Sequence, residues 1–313
     1  MTVTTSSELP ERSTALATLV GSTAVLLWGS LALFTRLSGG EIPPFQLMAV
    51  SFATAFMVMQ IRWWLRGESG LQYARQPVAA WALGVGGYFC YHACYFAAMM
   101  LAPAVEVSLI AYLWPLFIVL LSTLVTGLPM RIGHVVGAVL ALVGCWVLLS
   151  GGEQNAASTQ AFDSQYLPGY GLAFLCSLIW SGFSVTSRKM KAVPTDAAGW
   201  FCLATAVLAL LAHWAFEQTV WPDTSLQWLA LMALGIGPVG IAFFTWDYGM
   251  KHGNLALLGV ISYFAPLISV ALLLLVGEGE WRIEVGVAAV AISLGALVAS
   301  FAGKQKAGKQ KAA

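Results

Sequence analysis

Leu27-Trp28-Gly29-Ser30, with Arg36 six residues beyond, is answered far downstream by Ile179-Trp180-Ser181-Gly182, with Arg188 six residues beyond. The offset of about 151 residues recurs. Tyr112-Leu113-Trp114-Pro115-Leu116 matches Tyr263-Phe264-Ala265-Pro266-Leu267, Arg131-Ile132 matches Arg282-Ile283, and Gly144 matches Gly295. The chain is therefore written twice. Two related halves in a strongly apolar chain point to a transporter architecture with its site between the halves.

Composition sets the solvent. Of the 313 residues, 59% are hydrophobic and 9% charged, with a mean hydropathy of +0.80. A soluble domain carries about 25% charged residues, so this chain cannot cover itself with a polar surface. Runs of about 20 apolar residues suffice to span a bilayer. Ten are expected, over residues 16–37, 44–65, 79–101, 104–126, 131–150, 168–188, 198–216, 226–250, 254–276 and 283–302. The expected fold is an all-α integral membrane protein of ten transmembrane helices, arranged as two inverted five-helix repeats. Residues 1–15 form an N-terminal tail, 16–150 the first repeat, 151–167 an external linker, 168–302 the second repeat and 303–313 a basic tail. The first apolar run is too long for a cleaved signal peptide.

Charge placement orients the chain. With the N-terminus inside, 13 of the 15 Lys and Arg residues lie inside, and only Arg36 and Arg282 lie outside. The positive-inside rule then places both termini in the cytoplasm. An odd five spans per half makes the repeats run in opposite senses, as Arg36 outside and Arg188 inside also require.

Depth sorts the aromatic residues. Trp63, Trp64, Trp81, Trp146, Trp200, Trp214, Trp221, Trp228 and Trp281 fall near span ends, where an interfacial belt accounts for them. Trp28, Trp114 and Trp180 fall near the midplane, and Trp246 nearer the cytoplasmic end. A buried indole N–H needs a partner, which favours a central cavity for the midplane three. Tyr88, Tyr91, His92 and Tyr95 form a polar aromatic face on the third span, and His92 is an intramembrane ionisable group. Pro115 and Pro266 interrupt the fourth and ninth spans at matched positions and are expected to kink them. Ser30, Ser181, Ser184, Ser108, Ser262 and Ser269 add hydroxyls, although such groups in membrane helices often bond their own backbone. Glycines in the third, fifth and eighth spans read as helix-packing positions, with a weak dimer through the fifth as an option.

Other chemistry finds no support. No lysine, arginine or carboxylate lies deep in a span; Asp247 is near an inner end, one turn from Lys251. There is no Gly-x-x-x-x-Gly-Lys or His-Glu-x-x-His motif, so no ATPase or zinc protease is expected. The five cysteines read as small apolar fillers. No catalytic residue, metal, cofactor or nucleic-acid partner is expected, only a small molecule, lipid and the chain as a monomer or weak dimer.

The Trp-Gly/Ser pairs, the segment from Pro103-Ala104 through Tyr112-Leu113-Trp114-Pro115-Leu116, and the ending Pro266…Val276-Gly277-Glu278 resemble the EamA-type branch of the drug/metabolite transporter superfamily. The first repeat departs from that pattern at Thr126-Gly127-Leu128-Pro129. Within the branch, Tyr91-His92, Trp114-Pro115 and Trp180-Ser181 resemble the aromatic amino acid exporters. The resemblance implies export of aromatic and other neutral amino acids across a bacterial inner membrane. It implies a midplane cavity of Trp28, Ser30, Tyr91, His92, Tyr95, Trp114, Trp180, Ser181, Ser262 and Tyr263, with Pro115 and Pro266 as bending points. A proton-coupled multidrug or metabolite antiporter using His92 is the alternative. A membrane scaffold, which needs no polar cavity, is a third reading.

Overall fold

A computed structural model describes residues 8–127, 131–150, 164–277 and 281–309. The greater part of the expected external linker, Leu128-Pro129 and Glu278 fall outside the described residues. So do residues 1–7 and 310–313 of the two tails.

All regular structure among the described residues is helical. The first span is α1 (Glu8–Gly29) followed by α2 (Leu31–Leu37), and the second and third are α3 (Pro44–Leu65) and α4 (Val78–Leu101). The fourth is α5 (Ala104–Ala111) plus α6 (Trp114–Thr126), and the fifth is α7 (Ile132–Ser150). The second half repeats the plan: α8 (Leu167–Ser187), α9 (Ala198–Phe216), α10 (Ser225–Leu234) and α11 (Ala242–His252). It ends with α12 (Leu255–Ile261), α13 (Phe264–Leu275) and α14 (Ile283–Lys309). Eight helical segments are long and apolar enough to cross a membrane. The 24-residue α4 is long enough but diluted by its tyrosines and His92, and Ile283–Ala299 of α14 is a shorter apolar stretch. Together they make a ten-helix, all-α, multi-pass membrane protein.

The termini of these helices are written locally. Thr224 and Gln227 form a reciprocal capping box at the start of α10, and the Asn254 side chain accepts from the Leu257 amide at the start of α12. Gly127 and Gly277, one residue out of register in the repeat, follow α6 and α13 with φ of 65° and 76°. A left-handed residue there ends each helix at no steric cost only if it is glycine.

Packing obeys the repeat. The second span pairs with the seventh (α3 with α9), the fourth with the ninth (α6 with α12) and the fifth with the tenth (α7 with α14). The first pairs with the eighth (α1 with α11), and its mirror, the third with the sixth (α4 with α8), is also made. Exchanging the halves leaves this set unchanged, as a pseudo-two-fold axis between inverted repeats demands. Close approaches confirm it residue by residue. A Cβ on Gly169 would stand 2.6 Å from the Ala102 methyl, and one on the matched Gly253 would stand 3.0 Å from the backbone nitrogen of Thr18, the mate of Gly169. A Cβ on either Gly137 or Gly295 would collide with the other's carbonyl oxygen. Gly137 and Gly295 thus pack against each other within the chain.

The end of the bundle that carries both termini is clasped by polar groups. Asp196 accepts from Arg62 Nε at 3.2 Å, Arg66 Nη1 at 3.1 Å and Trp63 Nε1 at 3.1 Å. The belt reading of Trp63 is corrected here: the ring is fully buried, stacked between Tyr73 and Trp200 and bonded to Asp196. Trp64, Trp146, Trp214 and Trp281 are well exposed on the outer surface, as belt residues are. At the opposite end, Glu217 accepts from the amides of Phe45 and Gln46 at the start of α3, at 2.9 and 3.1 Å. A carboxylate there also meets the positive end of the helix dipole.

Candidate functional site

Four spans are interrupted at about half depth. Between α5 and α6 the chain makes a tight turn at Tyr112-Leu113, with the Leu113 amide donating to the Ile110 carbonyl at 3.1 Å. The matched turn at Ser262-Tyr263 has the Tyr263 amide on the Val260 carbonyl at 3.2 Å. Pro115 and Pro266 open the helices that follow, where a missing backbone N–H costs little. The first and eighth spans, read from sequence as continuous, are also interrupted. Ser30 separates α1 from α2, its amide reaching only to Leu27 O at 3.0 Å. A π-helical turn, Gly235–Ile241 with Pro238 inside it, separates α10 from α11. Proline removes the ordinary donor at that point, and the widened turn is closed by the Ala242 amide on Gly237 O. Irregular backbone at this depth is tolerated where it faces protein or a cavity.

Here it faces a cavity. A space of about 520 Å³ lies between the halves, within the ~300–1,000 Å³ typical of small-molecule sites. Its lining includes Trp28, Tyr91, His92, Tyr95, Trp114, Trp180 and Pro266 among the residues singled out from sequence. Ser30, Ser181, Ser262, Tyr263 and Pro115 are not among them. The three serine hydroxyls donate to their own helices, to Leu27 O at 2.7 Å, Leu178 O at 3.1 Å and Leu258 O at 2.8 Å. Tyr263 is fully buried among Val119, Ala138 and Ile292. Phe52, Phe96, Phe243 and Pro238 also line the cavity and were not read from the sequence. Only Pro238, a proline amid three glycines in an apolar run, carried a signal.

The floor is a cluster of indoles. Trp28 meets Trp114, Trp180 and Trp246 with ring centroids 6.1, 5.7 and 5.0 Å apart. These edge-on and tilted contacts are the favoured geometries for quadrupolar rings. Trp28 Nε1 donates to Pro238 O at 3.0 Å, so the π-turn receives the indole of the first span. Trp246, read from sequence as nearer the cytoplasmic end than the other three, lies beneath this floor, and its Nε1 donates to Ser184 Oγ at 3.0 Å. One wall is α4: Tyr91 and Tyr95 are stacked 6.3 Å apart, and Tyr91 meets Trp180 at 5.2 Å. His92 Nδ1 lies 2.7 Å from Tyr88 O. A carbonyl only accepts, so Nδ1 carries a proton, and in the neutral ring Nε2 is then an acceptor. Among the described residues no three His, Cys, Asp or Glu side chains gather as metal ligands.

Every lining residue belongs to the half of the bundle away from the termini, or to the floor. Below the floor the terminus end is closed. Lys251 Nζ donates to Asp247 Oδ2 at 2.7 Å and Val193 O at 2.8 Å, and Thr195 Oγ1 donates to Asp247 Oδ2 at 2.6 Å. Arg188 Nη1 donates to Gly253 O at 2.7 Å and Met250 O at 3.3 Å, the last carbonyls of α11.

A family of known sequences matches the chain in both halves: residues 15–150 and 167–301 each fit the EamA-like transporter family. The chain belongs to the EamA-like transporter family. Among its EamA relatives, the aromatic amino acid exporter YddG of Ancylobacter novellus is 48% identical over 285 residues, covering 91% of this chain and 97% of that one. The protein of that name from Salmonella typhimurium is 27% identical over 293 residues, 93% of this chain and 98% of that one. A solved crystal structure shares this fold with a TM-score of 0.87 at 47% identity, over 92% of this chain and 98% of that one.

Proposed function

We propose that the protein exports aromatic and other neutral amino acids across a bacterial inner membrane by alternating access. In this reading both termini are cytoplasmic, repeats 16–150 and 168–302 are joined by an external linker 151–167, and the protein acts as a monomer or weak dimer. One observation carries it: the cavity between the halves is floored by indoles, and among the described residues no lysine, arginine or carboxylate lines it. Aromatic walls stack on an aromatic side chain and offer apolar area to others. A zwitterion brings its own compensating charges. Its ammonium finds an acceptor in His92 Nε2, and its carboxylate meets the opening turns of α6 and α13, which present helix N-termini at Trp114 and at Ala265-Pro266. Trp28, Tyr91, Tyr95, Trp114 and Trp180 form the walls and floor. The relatives named as aromatic amino acid exporters support the substrate class. With the termini inside, the cavity faces outward and the Lys251, Asp247 and Arg188 contacts close the cytoplasmic side. No chemical conversion is involved.

The test is flux of labelled phenylalanine through the purified protein in liposomes, with and without a pH gradient. Saturable flux without the gradient is expected. Flux that appears only with an imposed gradient points instead to a proton antiporter, and no flux in either condition overturns the reading.

A further inference from the structure

The two halves share a sequence plan but not one internal arrangement. In the second half, α8 and α11 are drawn together at the terminus end. Arg188, just after α8, grips the closing carbonyls of α11, and Ser184 of α8 accepts from Trp246 of α11. The positions of both contacts have counterparts in the first half, although Ala32 lacks the hydroxyl that Ser184 uses as acceptor. Arg36 stands at the place of Arg188, eight residues after Trp28 as Arg188 is after Trp180. Ala32 stands at the place of Ser184 and Tyr95 at that of Trp246. The acceptors are matched too: α4 ends as α11 does, with Ala102 N on Ala98 O at 3.0 Å where Gly253 N meets Gly249 O at 2.7 Å. The mates of the Met250 and Gly253 carbonyls are those of Met99 and Ala102. Yet Ala32 and Tyr95 both line the cavity that separates α2 from α4. The first half is thus the open form of the motif that the second half holds shut.

We propose that Arg36 is the latch of the other state: when the mouth of the cavity closes, its guanidinium docks on the carbonyls of Met99 and Ala102, as Arg188 now docks on those of Met250 and Gly253. This rests on the alternating-access reading and names the residue that holds its second state. The chemistry suits the position. The last carbonyls of a helix lack amide partners, carry the negative end of its dipole and accept charge-assisted bonds from an arginine fork. The exchange of conformations between inverted repeats converts one state to the other, so the two arginines alternate in these docking sites.

The experiment is amide hydrogen exchange, followed by mass spectrometry, on the full chain in lipid nanodiscs. It compares wild type, Arg188→Gln, and Arg188→Gln with Arg36→Gln. Releasing Arg188 should raise exchange about tenfold in peptides covering residues 189–196 and 252–257, the size of one charge-assisted hydrogen bond. It should also lower exchange in residues 97–107, where Arg36 docks. Adding Arg36→Gln should abolish that opposite-end protection. Retention of the protection in the double variant, or its absence in Arg188→Gln, overturns the proposal. In flux assays Arg36→Gln should slow turnover with phenylalanine affinity unchanged, because Arg36 is not among the residues that line the cavity; unchanged turnover also overturns the latch. The exchange experiment needs no substrate, so it tests the latch even if phenylalanine proves not to be the cargo.

Discussion

The two ends of this bundle solve the same packing problem with different chemistry. Around Asp247 and Lys251, the terminus end is shut by a buried ion pair, a threonine and a loop carbonyl. At the repeat-matched positions of the opposite end stand Phe96 and Met100. Phe96 meets Phe45 edge-on at 6.1 Å, and Phe45 stacks near Phe89 at 6.4 Å. Charged groups hold the closed end, and slippery aromatic surfaces flank the open one. A buried pair with satisfied partners has one good geometry and resists sliding, whereas aromatic contacts can re-form in several arrangements. The difference teaches that inverted sequence repeats do not imply equivalent gates.

The largest expected effect comes from breaking the ionic end. Lys251→Met leaves Asp247 buried without its partner, which costs about 3–5 kcal/mol in comparable sites. The melting temperature of the purified protein should fall sharply, and pairing it with Asp247→Leu should recover most of the loss. Phe96→Ala, at the matched site of the open end, should lower the melting temperature much less. Next comes the floor between the ends. Trp180→Ala removes ring contacts to Trp28, Trp114, Tyr91 and Phe243. Each such contact is worth about 0.5–1.5 kcal/mol, so phenylalanine flux should drop at least about tenfold while the protein still folds. Gly137→Leu should cost about 1–3 kcal/mol of stability through overpacking at the α7–α14 contact, without changing the substrate concentration for half-maximal flux. The smallest effect is a pH dependence at the terminus end. Tyr73 donates to Glu68 at 2.7 Å, and this bond holds its phenol above the usual value of 10.0. A raised phenol stabilises the fold below its ordinary range and loses that contribution as pH rises beyond it, so thermal stability should decline above about pH 10. Tyr73→Phe should flatten that decline.

Most of the architecture was legible because it rests on coarse physics. Apolar runs of the right length, the offset of about 151 residues and the paired Trp and Tyr-x-x-Pro signals carry the ten helices and the inverted repeat. The cavity was half legible. Trp28, His92, Trp114 and Trp180 stood out because bulky polar-edged rings at mid-depth need a reason. The serines beside them did not declare their direction, since a hydroxyl on an apolar helix is equally content on its own backbone, as Ser30 and Ser181 are. Pro238 was overlooked because its neighbouring glycines read as packing positions, although a π-turn was the consequence. Trp63 misled because proximity to a span end does not distinguish an interfacial ring from one buried beneath a loop. Phe52 and Phe243 carried no signal at all, being ordinary apolar residues until the halves come together around them.

The most direct test of the central claim, an indole-floored amino-acid site between the halves, is titration calorimetry of phenylalanine into the purified protein and into Trp114→Ala and Trp180→Ala. The structure predicts saturable binding at one site with a negative heat-capacity change, the mark of apolar burial, and its loss in both variants. Binding of unchanged affinity in both variants would contradict it.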